Sequence, residues 1–344
     1  VILFNRLPLQ AAVLLKNLID NNLITCEDSD QLAIAVIHSI FNAFQSILTN
    51  KQKVAFDQWI RSSFHLLIND YSSELPKIFK DVFPHPCLSS HSVVNGKFET
   101  KSNEIIKETV VTFPNSNVFI GNKIVPTVQF IEQSELLTIY LNQKQNVLFT
   151  GEYGKTSFLR YFFMKNSETF NPIFVQCSST KTSESILNFI DLHTLMTTKF
   201  VNHSKRVVFV FEDISFDNLE VIEFIRQLIK TSSLKLTSQC DPKLYDVITL
   251  RDFSIICTTS DFSKLPTQFV SLFCLLKANE LTMDEIKYVL VNLMNSYEVS
   301  SEFSNEIITF LNACMVSIDD FPRTINHLTK FINLICRMVE KSNK

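Results

Sequence analysis

Glycine is scarce in this chain: only four glycines occur among 344 residues. Glycine adopts positive φ more readily than any other residue, so tight turns and close backbone approaches to a ligand are restricted to few positions. Two of the four glycines, Gly151 and Gly154, lie in one short stretch. That stretch is therefore the first candidate for a functional loop.

Several other features are missing as well. No apolar run approaches the ~20 residues that span a bilayer, and no signal peptide pattern is present. The net charge is −3, and Lys and Arg are scattered rather than grouped in a stripe, which argues against a nucleic-acid partner. The eight cysteines form no C-x-x-C pair, so neither a zinc site nor a disulfide framework is indicated. We expect a soluble, intracellular chain without a membrane partner. It begins with Val1 rather than Met, and we expect it to be part of a longer polypeptide.

The first hundred residues have the periodicity of helices. We predict one helix over 8–21 with Pro8 in its first turn, a second that carries Ile37 and Phe41 on its apolar side, and a third after it. Turn-forming residues are concentrated over 84–104. We therefore predict a loop there and a domain boundary near residue 100.

Beyond residue 100 short apolar runs alternate with helical patterns. Gly121 and Asn122, between two short apolar runs, predict a two-residue β-hairpin. Five further apolar runs cover 147–150, 173–177, 207–211, 253–257 and 272–276. Strands buried on both faces have this continuous apolar pattern, and alternation with helices predicts an α/β fold with a parallel five-stranded sheet. A capping-box pattern beginning at Thr282 then opens a helix, after which we predict two more helices.

The stretch from Gly151 to Thr156 resembles a phosphate-binding loop that is two residues short. It follows an apolar run, precedes a helical pattern and ends in Gly154-Lys155-Thr156. A complete loop has four residues between its first glycine and this group, because that length lets backbone N–H groups surround the phosphates. In such a site Lys155 would contact the β/γ-phosphates and Thr156 would bind Mg²⁺. The alternative is that Lys155 lies on an ordinary solvent-facing loop.

Two carboxylates, Glu212 and Asp213, follow the apolar run 207–211. This is the pattern of a Walker B element, in which carboxylates hold Mg²⁺ and polarise the attacking water. By position Glu212 would be the metal-side group and Asp213 the water-side group. The alternative is that both residues simply end a strand at the solvent.

A third polar group, Thr258-Thr259-Ser260, follows the run 253–257. It would supply a side chain that orients water near the γ-phosphate, and Thr259 is our candidate for a nucleotide contact. An ordinary turn at the end of a strand explains these residues equally well.

The order of these elements resembles that of dynein heavy chains, from the lid of the second AAA+ module into the third module. Four segments in the same order carry the resemblance: 54–61, 124–127, 221–228, and 244–246 together with 253–257. Of these, Val125-Pro126-Thr127 is similar to a Val-Pro-Thr segment that packs near the adenine. The residues 221–228 resemble the helix that follows Walker B.

The resemblance implies a fold, a cofactor and partners. An AAA+ module is a P-loop NTPase with a parallel five-stranded sheet and a helical lid. The chain would consist of a helical segment over 1–100 from the preceding lid, an α/β subdomain over 101–278 and a helical lid over 279–344. ATP or ADP with Mg²⁺ would be the cofactor, with Thr156 and Glu212 on the metal. The parent would be an ATP-dependent microtubule motor, cytoplasmic and cytoskeletal, on the axoneme or on cytoplasmic microtubules. Its partners would be neighbouring AAA+ modules of the same chain, microtubules, and dynein light and intermediate chains.

The chain also departs from the family pattern. The loop is short, and Gln268 and Ser271 stand where the family usually has two arginines that reach the neighbouring module's nucleotide. In the lid, Arg323 is displaced from the position that senses the γ-phosphate. We therefore predict a degenerate module with a structural or regulatory role and weak or absent hydrolysis. The alternatives are a competent ATPase module of the same motor, another AAA+ ATPase of the DNA clamp-loader or initiator type, and a freestanding helical adaptor.

Overall fold

The structure is a computed structural model. It describes residues 2–24, 27, 29–48, 52, 55–56, 58–59, 91–94, 97–100, 111–112, 123–151, 154–177, 180–190, 205–237, 245–249, 253–278, 283–296, 306 and 309. The chain divides into two compact units, one formed by 1–101, 133–152 and 163–277 and the other by 102–132, 153–162 and 278–344.

The elements follow in chain order. They are α1 (Ile2–Asp20), α2 (Ser29–Gln45), β1 (His91–Val94), β2 (Lys97–Thr100), β3 (Val111–Thr112), β4 (Lys123–Ile124), α3 (Val128–Asn142), β5 (Val147–Thr150), α4 (Lys155–Lys165), β6 (Phe170–Gln176), β7 (Arg206–Glu212), α5 (Leu219–Thr231), β8 (Ser233–Thr237), β9 (Tyr245–Thr249), β10 (Phe253–Thr259), α6 (Thr267–Val270), β11 (Cys274–Lys277) and α7 (Met283–Asn295). Residues 183–190 are also α-helical.

The first unit is built on a five-stranded sheet in the order β11-β5-β10-β7-β6. Every pairing in it is parallel. Each strand coincides with one of the five apolar runs in the sequence, and the predicted α/β fold with a parallel five-stranded sheet is confirmed. The strand order brings the carboxyl ends of β5, β10 and β7 next to one another at one edge of the sheet.

Helix α5 packs one apolar side into the core of this unit. Val221, Ile222, Ile225 and Leu228 are buried on it, and they share a cluster with side chains of the sheet. The helix begins where Asn218 Oδ1 accepts a hydrogen bond from Val221 N. Burial of four aliphatic side chains contributes about 1.5–3 kcal/mol each, so α5 is firmly attached directly after β7.

The N-terminal helices cover the outer edge of β11. Gln10 of α1 donates to the Tyr140 hydroxyl and to the Leu275 carbonyl, at 3.2 and 3.1 Å. Ser46 Oγ donates to the same carbonyl at 2.9 Å, and Lys277 N donates to Ser46 O at 2.7 Å. An edge strand otherwise presents unpaired backbone groups. These contacts satisfy two of them with groups from α1 and from the end of α2.

The second unit contains the start of α4 and the helix α7. Helix α7 has one apolar side, on which Ile286, Val289, Leu290 and Leu293 are all buried. A short antiparallel pair joins β3 and β4, with Val111 opposite Ile124. None of the helices in the described ranges combines the length and the hydropathy that crossing a bilayer requires.

The predicted hairpin around Gly121 stays a prediction, because its turn and its first strand are outside the part of the chain that the structure describes. Lys123–Ile124 pairs with Val111–Thr112, and the run 118–120 lies outside the described residues. A two-residue sheet pairing is too short to be specified by the local turn signal alone, so the pairing partner was not identifiable from the sequence.

The predicted loop over 84–104 is wrong for part of its length. His91–Val94 and Lys97–Thr100 form an antiparallel hairpin in which Val94 lies opposite Lys97. Asn-Gly is the strongest two-residue hairpin signal, and Asn95-Gly96 separates the two strands in sequence. The N-terminal segment is therefore not entirely helical.

Helix α1 also starts earlier than predicted. It begins at Ile2 with Pro8 in its interior, where a proline removes one backbone hydrogen bond. Leu7, Ala11 and Leu14 are buried at helical spacing, so packing favours a helix that continues across Pro8. The predicted third helix is described only at 52, 55–56 and 58–59, and the two helices after α7 only at 306 and 309.

Candidate functional site

Both glycines of the short loop have positive φ. Gly151 follows β5 with φ 140°, and Gly154 precedes α4 with φ 80°. Gly151 N donates to Thr259 O at 3.2 Å, and Gly154 O accepts from Phe158 N at 2.8 Å, which is the first hydrogen bond of α4. The two glycines therefore occupy positions where other residues would be strained.

Lys155 opens α4 and is buried, with 6% of its surface exposed. Lysine is almost never buried to this degree unless it is paired. The alternative of an ordinary solvent-facing lysine therefore does not describe Lys155. Thr156 follows in the first helical turn and is half-buried. The first N–H groups of a helix have no acceptor within it and carry positive partial charge, so this turn suits an anion.

The segment 125–127 is buried and leads into α3. Thr127 Oγ1 accepts from Phe130 N at 3.3 Å and starts the helix. One turn into α3, the Phe130 ring meets the Phe158 ring edge-on at 5.4 Å and the Tyr161 ring at 6.1 Å. The predicted adenine segment and the start of α4 thus belong to the same compact unit and are joined by aromatic contacts.

The two carboxylates at the end of β7 have different surroundings. Glu212 is buried, with 5% exposed, and its carbonyl accepts from Cys177 N at 2.8 Å. Asp213 is exposed, and its Oδ2 accepts from Gln176 Nε2 at 3.3 Å. A buried group suits a fixed metal ligand and an exposed one suits contact with water. The metal-side role of Glu212 and the water-side role of Asp213 stay predictions.

Burial, together with the nearby carboxylates of Asp213 and Glu212, raises the pKa of Cys177 to about 12. The thiol therefore stays protonated at neutral pH. The sulfur behaves as a small apolar group beneath the carboxylates rather than as a nucleophile or a metal ligand.

Thr258 and Thr259 both bond to the turn after β7. Thr258 Oγ1 accepts from Asp213 N at 2.8 Å, and Thr258 O accepts from Ile214 N at 2.8 Å. Thr259 Oγ1 donates to Ile214 O at 3.3 Å. The hydroxyl hydrogen of Thr259 is thus engaged within the protein, while its lone pairs remain for other donors.

The two positions that lack the family's arginines lie on α6 and just after it. Ser271 Oγ donates to Gln268 O at 2.8 Å. Phe269 lies between these two positions and Phe273 follows them in sequence. The two rings are buried, and their centroids are 4.9 Å apart. The apolar part of the segment is retained, and the polar positions bond to each other.

Sequence reasoning missed Gln176. It lies opposite Glu212 on the neighbouring strand β6, and its amide contacts the next carboxylate, Asp213. A polar residue that ends a largely apolar run beside the carboxylate-bearing strand was the available signal. The parallel register is what places it there.

Residues 113–281 match the family model described as the P-loop containing dynein motor region. The match supports a dynein heavy chain AAA module in this part of the chain. Together with the parallel sheet, the match identifies an α/β AAA+ fold. Within dynein heavy chains, AAA+ modules are arranged next to one another in a ring.

Other comparisons add little. A search of curated proteins found no match. Two solved structures of mutant RuvB from Thermotoga maritima are similar. One is 14% identical and covers 61% of this chain and 69% of its own, with a TM-score of 0.34. The other is 15% identical and covers 48% of this chain and 51% of its own, with a TM-score of 0.33. Similarities at these TM-scores carry no further argument.

Proposed function

We propose that the chain is a degenerate AAA+ module of a dynein-like heavy chain that binds ATP or ADP and hydrolyses ATP weakly or not at all. Its position would be that of the third module. The single observation that carries the proposal is the burial of Lys155 in the first turn of α4, directly after a loop whose two glycines have positive φ. A lysine buried at this position does not serve as a solvent-facing side chain, and the first turn of a helix favours an anion.

Each residue type fits the part expected of it from the sequence. Lys155 would supply an ammonium for the phosphates, Thr156 and Glu212 carry oxygens of the kind that Mg²⁺ prefers, and residues 125–127 are a buried segment that would take the base. Asp213 and Thr259 would act on the water side. When bound, the metal and the nucleotide would provide the charges of a phosphoryl-transfer site.

Weak hydrolysis follows from what is shortened or replaced. The loop has two residues between its first glycine and Gly154, so fewer N–H groups are available to stabilise developing charge on the phosphates. In the predicted lid, Arg323 is displaced in sequence from the position where the family has the arginine that senses the γ-phosphate. Gln268 and Ser271 would leave the neighbouring module's nucleotide without an arginine from this one, which is worth about 10³–10⁵ in rate where it acts.

The role of such a module is structural and regulatory. Its neighbours would be the adjoining AAA+ modules of the same chain. Through the parent protein it would serve a microtubule motor with light and intermediate chains, on the axoneme or on cytoplasmic microtubules. Bound nucleotide would stabilise the module, because a ligand that binds only the folded state adds to its stability.

The test is calorimetric titration of Mg-ATP into the chain and into two lysine variants. Lys155→Ala should weaken binding by about 10- to 100-fold, because hydrogen bonds to charged groups contribute about 1.5–3 kcal/mol. Lys165→Ala is the matched control: Lys165 lies in the last turn of the same helix and is exposed, so binding should stay within about twofold. Equal affinity for the parent and for Lys155→Ala would refute the proposed site.

A second candidate is a competent ATPase module. It is favoured by the retention of both positive-φ glycines and of two carboxylates at the end of β7. In that case Asp213→Asn should abolish rapid turnover and leave nucleotide affinity nearly unchanged. If no turnover is seen even in the parent chain, the first candidate is favoured.

A further inference from the structure

Asp213 has an unusual backbone conformation for its place in the fold. Four residues other than glycine have positive φ in the described part of the chain: Asn22, Lys144, Asp213 and Ser232. Three of them follow the ends of helices, where a left-handed residue commonly terminates the helix. Asp213 instead follows a β-strand, with φ 55°. Aspartate enters this region more readily than most residues with a Cβ, but still at a cost relative to glycine, so we expect contacts that hold it there.

The restraint comes from the neighbouring strand β10. The buried hydroxyl of Thr258, whose residue has 0% of its surface exposed, accepts the N–H of Asp213 at 2.8 Å. The carbonyl of the same threonine accepts Ile214 N at 2.8 Å, and Thr259 Oγ1 donates to Ile214 O at 3.3 Å. Three hydrogen bonds from two consecutive threonines therefore fix two consecutive residues of the turn.

The side chain of Asp213 is held by a different strand. Gln176 Nε2, at the end of β6, donates to Asp213 Oδ2 at 3.3 Å. Because the left-handed backbone sets the direction of the Cα–Cβ bond, a change of φ at this residue would carry the carboxylate away from Gln176. Backbone and side chain are thus held from opposite sides of β7.

We propose that Thr258 is a positioning residue that holds Asp213 in the left-handed conformation and thereby fixes its carboxylate beside Gln176. Thr258 then acts through Asp213 and not directly on water, unlike the role expected from the sequence. The importance of the carboxylate for hydrolysis rests on the proposed function. The restraint on the backbone does not.

The test is a set of crystal structures of variants. Thr258→Val keeps the shape of the side chain and removes the acceptor, so residue 213 should leave the left-handed region and its carboxylate should move out of hydrogen-bond distance of Gln176. Thr258→Ser keeps the hydroxyl and should preserve both features. Thr150→Val is the matched control, because Thr150 is a buried threonine on β5 whose hydroxyl bonds to Ser260 O instead, and it should leave residue 213 unchanged. A Thr258→Val structure with the parent conformation would overturn the proposal.

A second measurement decides the matter if Thr258→Val does not fold. The folding equilibrium constants of Asp213→Gly and Asp213→Ala are compared by chemical unfolding. At a left-handed position glycine should be favoured over alanine by about tenfold, whereas at an ordinary position alanine is favoured. A higher stability of Asp213→Ala would show that the backbone is not strained there, which overturns the proposal.

The role of Asp213 in hydrolysis is tested independently of the backbone restraint. If the structures behave as expected but Asp213→Asn leaves any slow hydrolysis unchanged, the restraint stands and the water-side role of Asp213 falls.

Discussion

Replacement of Gly154 by alanine tests whether the short loop requires a glycine backbone. A Cβ built on Gly154 meets nothing within 4 Å, and its φ is +80°. The cost of the substitution is therefore not steric crowding by other residues but the backbone penalty of a left-handed alanine, about 1–2 kcal/mol. We expect Gly154→Ala to lower the free energy of unfolding by that amount. Gly154→Asn should cost less, because asparagine tolerates this conformation better.

Urea unfolding of the three forms, followed by circular dichroism, measures the differences as shifts in midpoint at constant slope. Ser157→Ala is the control: Ser157 lies in the first turn of α4 with helical backbone, where alanine should be neutral or slightly stabilising. The conformational argument is refuted if Gly154→Ala is as stable as the parent, or if it lowers the free energy of unfolding by less than Gly154→Asn does.

Two further predictions concern the first unit. Burial raises the pKa of Cys177 and of Cys274 to about 12, so each thiol keeps its proton in the folded state after the unfolded chain has lost it. The stability contributed by the protonated thiols is then fully present below about pH 9 and falls as pH rises, by about 1.4 kcal/mol per thiol per pH unit. Between pH 9 and pH 10 the free energy of unfolding should therefore fall less in Cys274→Ala than in the parent. At the sheet edge, Gln10→Met and Ser46→Ala each leave one donor to the Leu275 carbonyl, whereas the double variant leaves this carbonyl without either donor. A double-mutant cycle should therefore give a destabilisation of about 1–3 kcal/mol beyond the sum of the two single variants. Simple additivity would show that the two donors do not share this carbonyl.

The sheet could be predicted from the sequence, since strands buried on both faces must be apolar along their whole length. The runs 147–150 and 207–211 are buried in the structure almost throughout. The hairpin at 91–100 has a signal in Asn95-Gly96, but the many turn formers around that dipeptide favour a loop. Pairings between distant segments, such as Val111–Thr112 with Lys123–Ile124, are not specified by local sequence.

The candidate site was predictable in its residue types but not in its restraints. Lys155, Glu212 and Asp213 were identified from spacing and from the strands that precede them. The positive φ of Asp213 and its hydrogen bond to Thr258 depend on the parallel register of β7 and β10, which a single sequence does not give. The domain boundaries near 100 and 278 and the assignment to the third module stay predictions.

The central claim is that a nucleotide site has persisted here while its hydrolytic capacity declined. Single-turnover hydrolysis of radiolabelled Mg-ATP by the chain, in excess over nucleotide, tests it most directly, with Lys155→Ala measured alongside. The account predicts that ATP binding depends on Lys155. It also predicts that bound ATP is cleaved at about 10⁻³ s⁻¹ or slower, which is the order of P-loop hydrolysis without an arginine contribution. Lys155-dependent cleavage at about 10⁻² s⁻¹ or faster, or the absence of any Lys155-dependent binding, would contradict it.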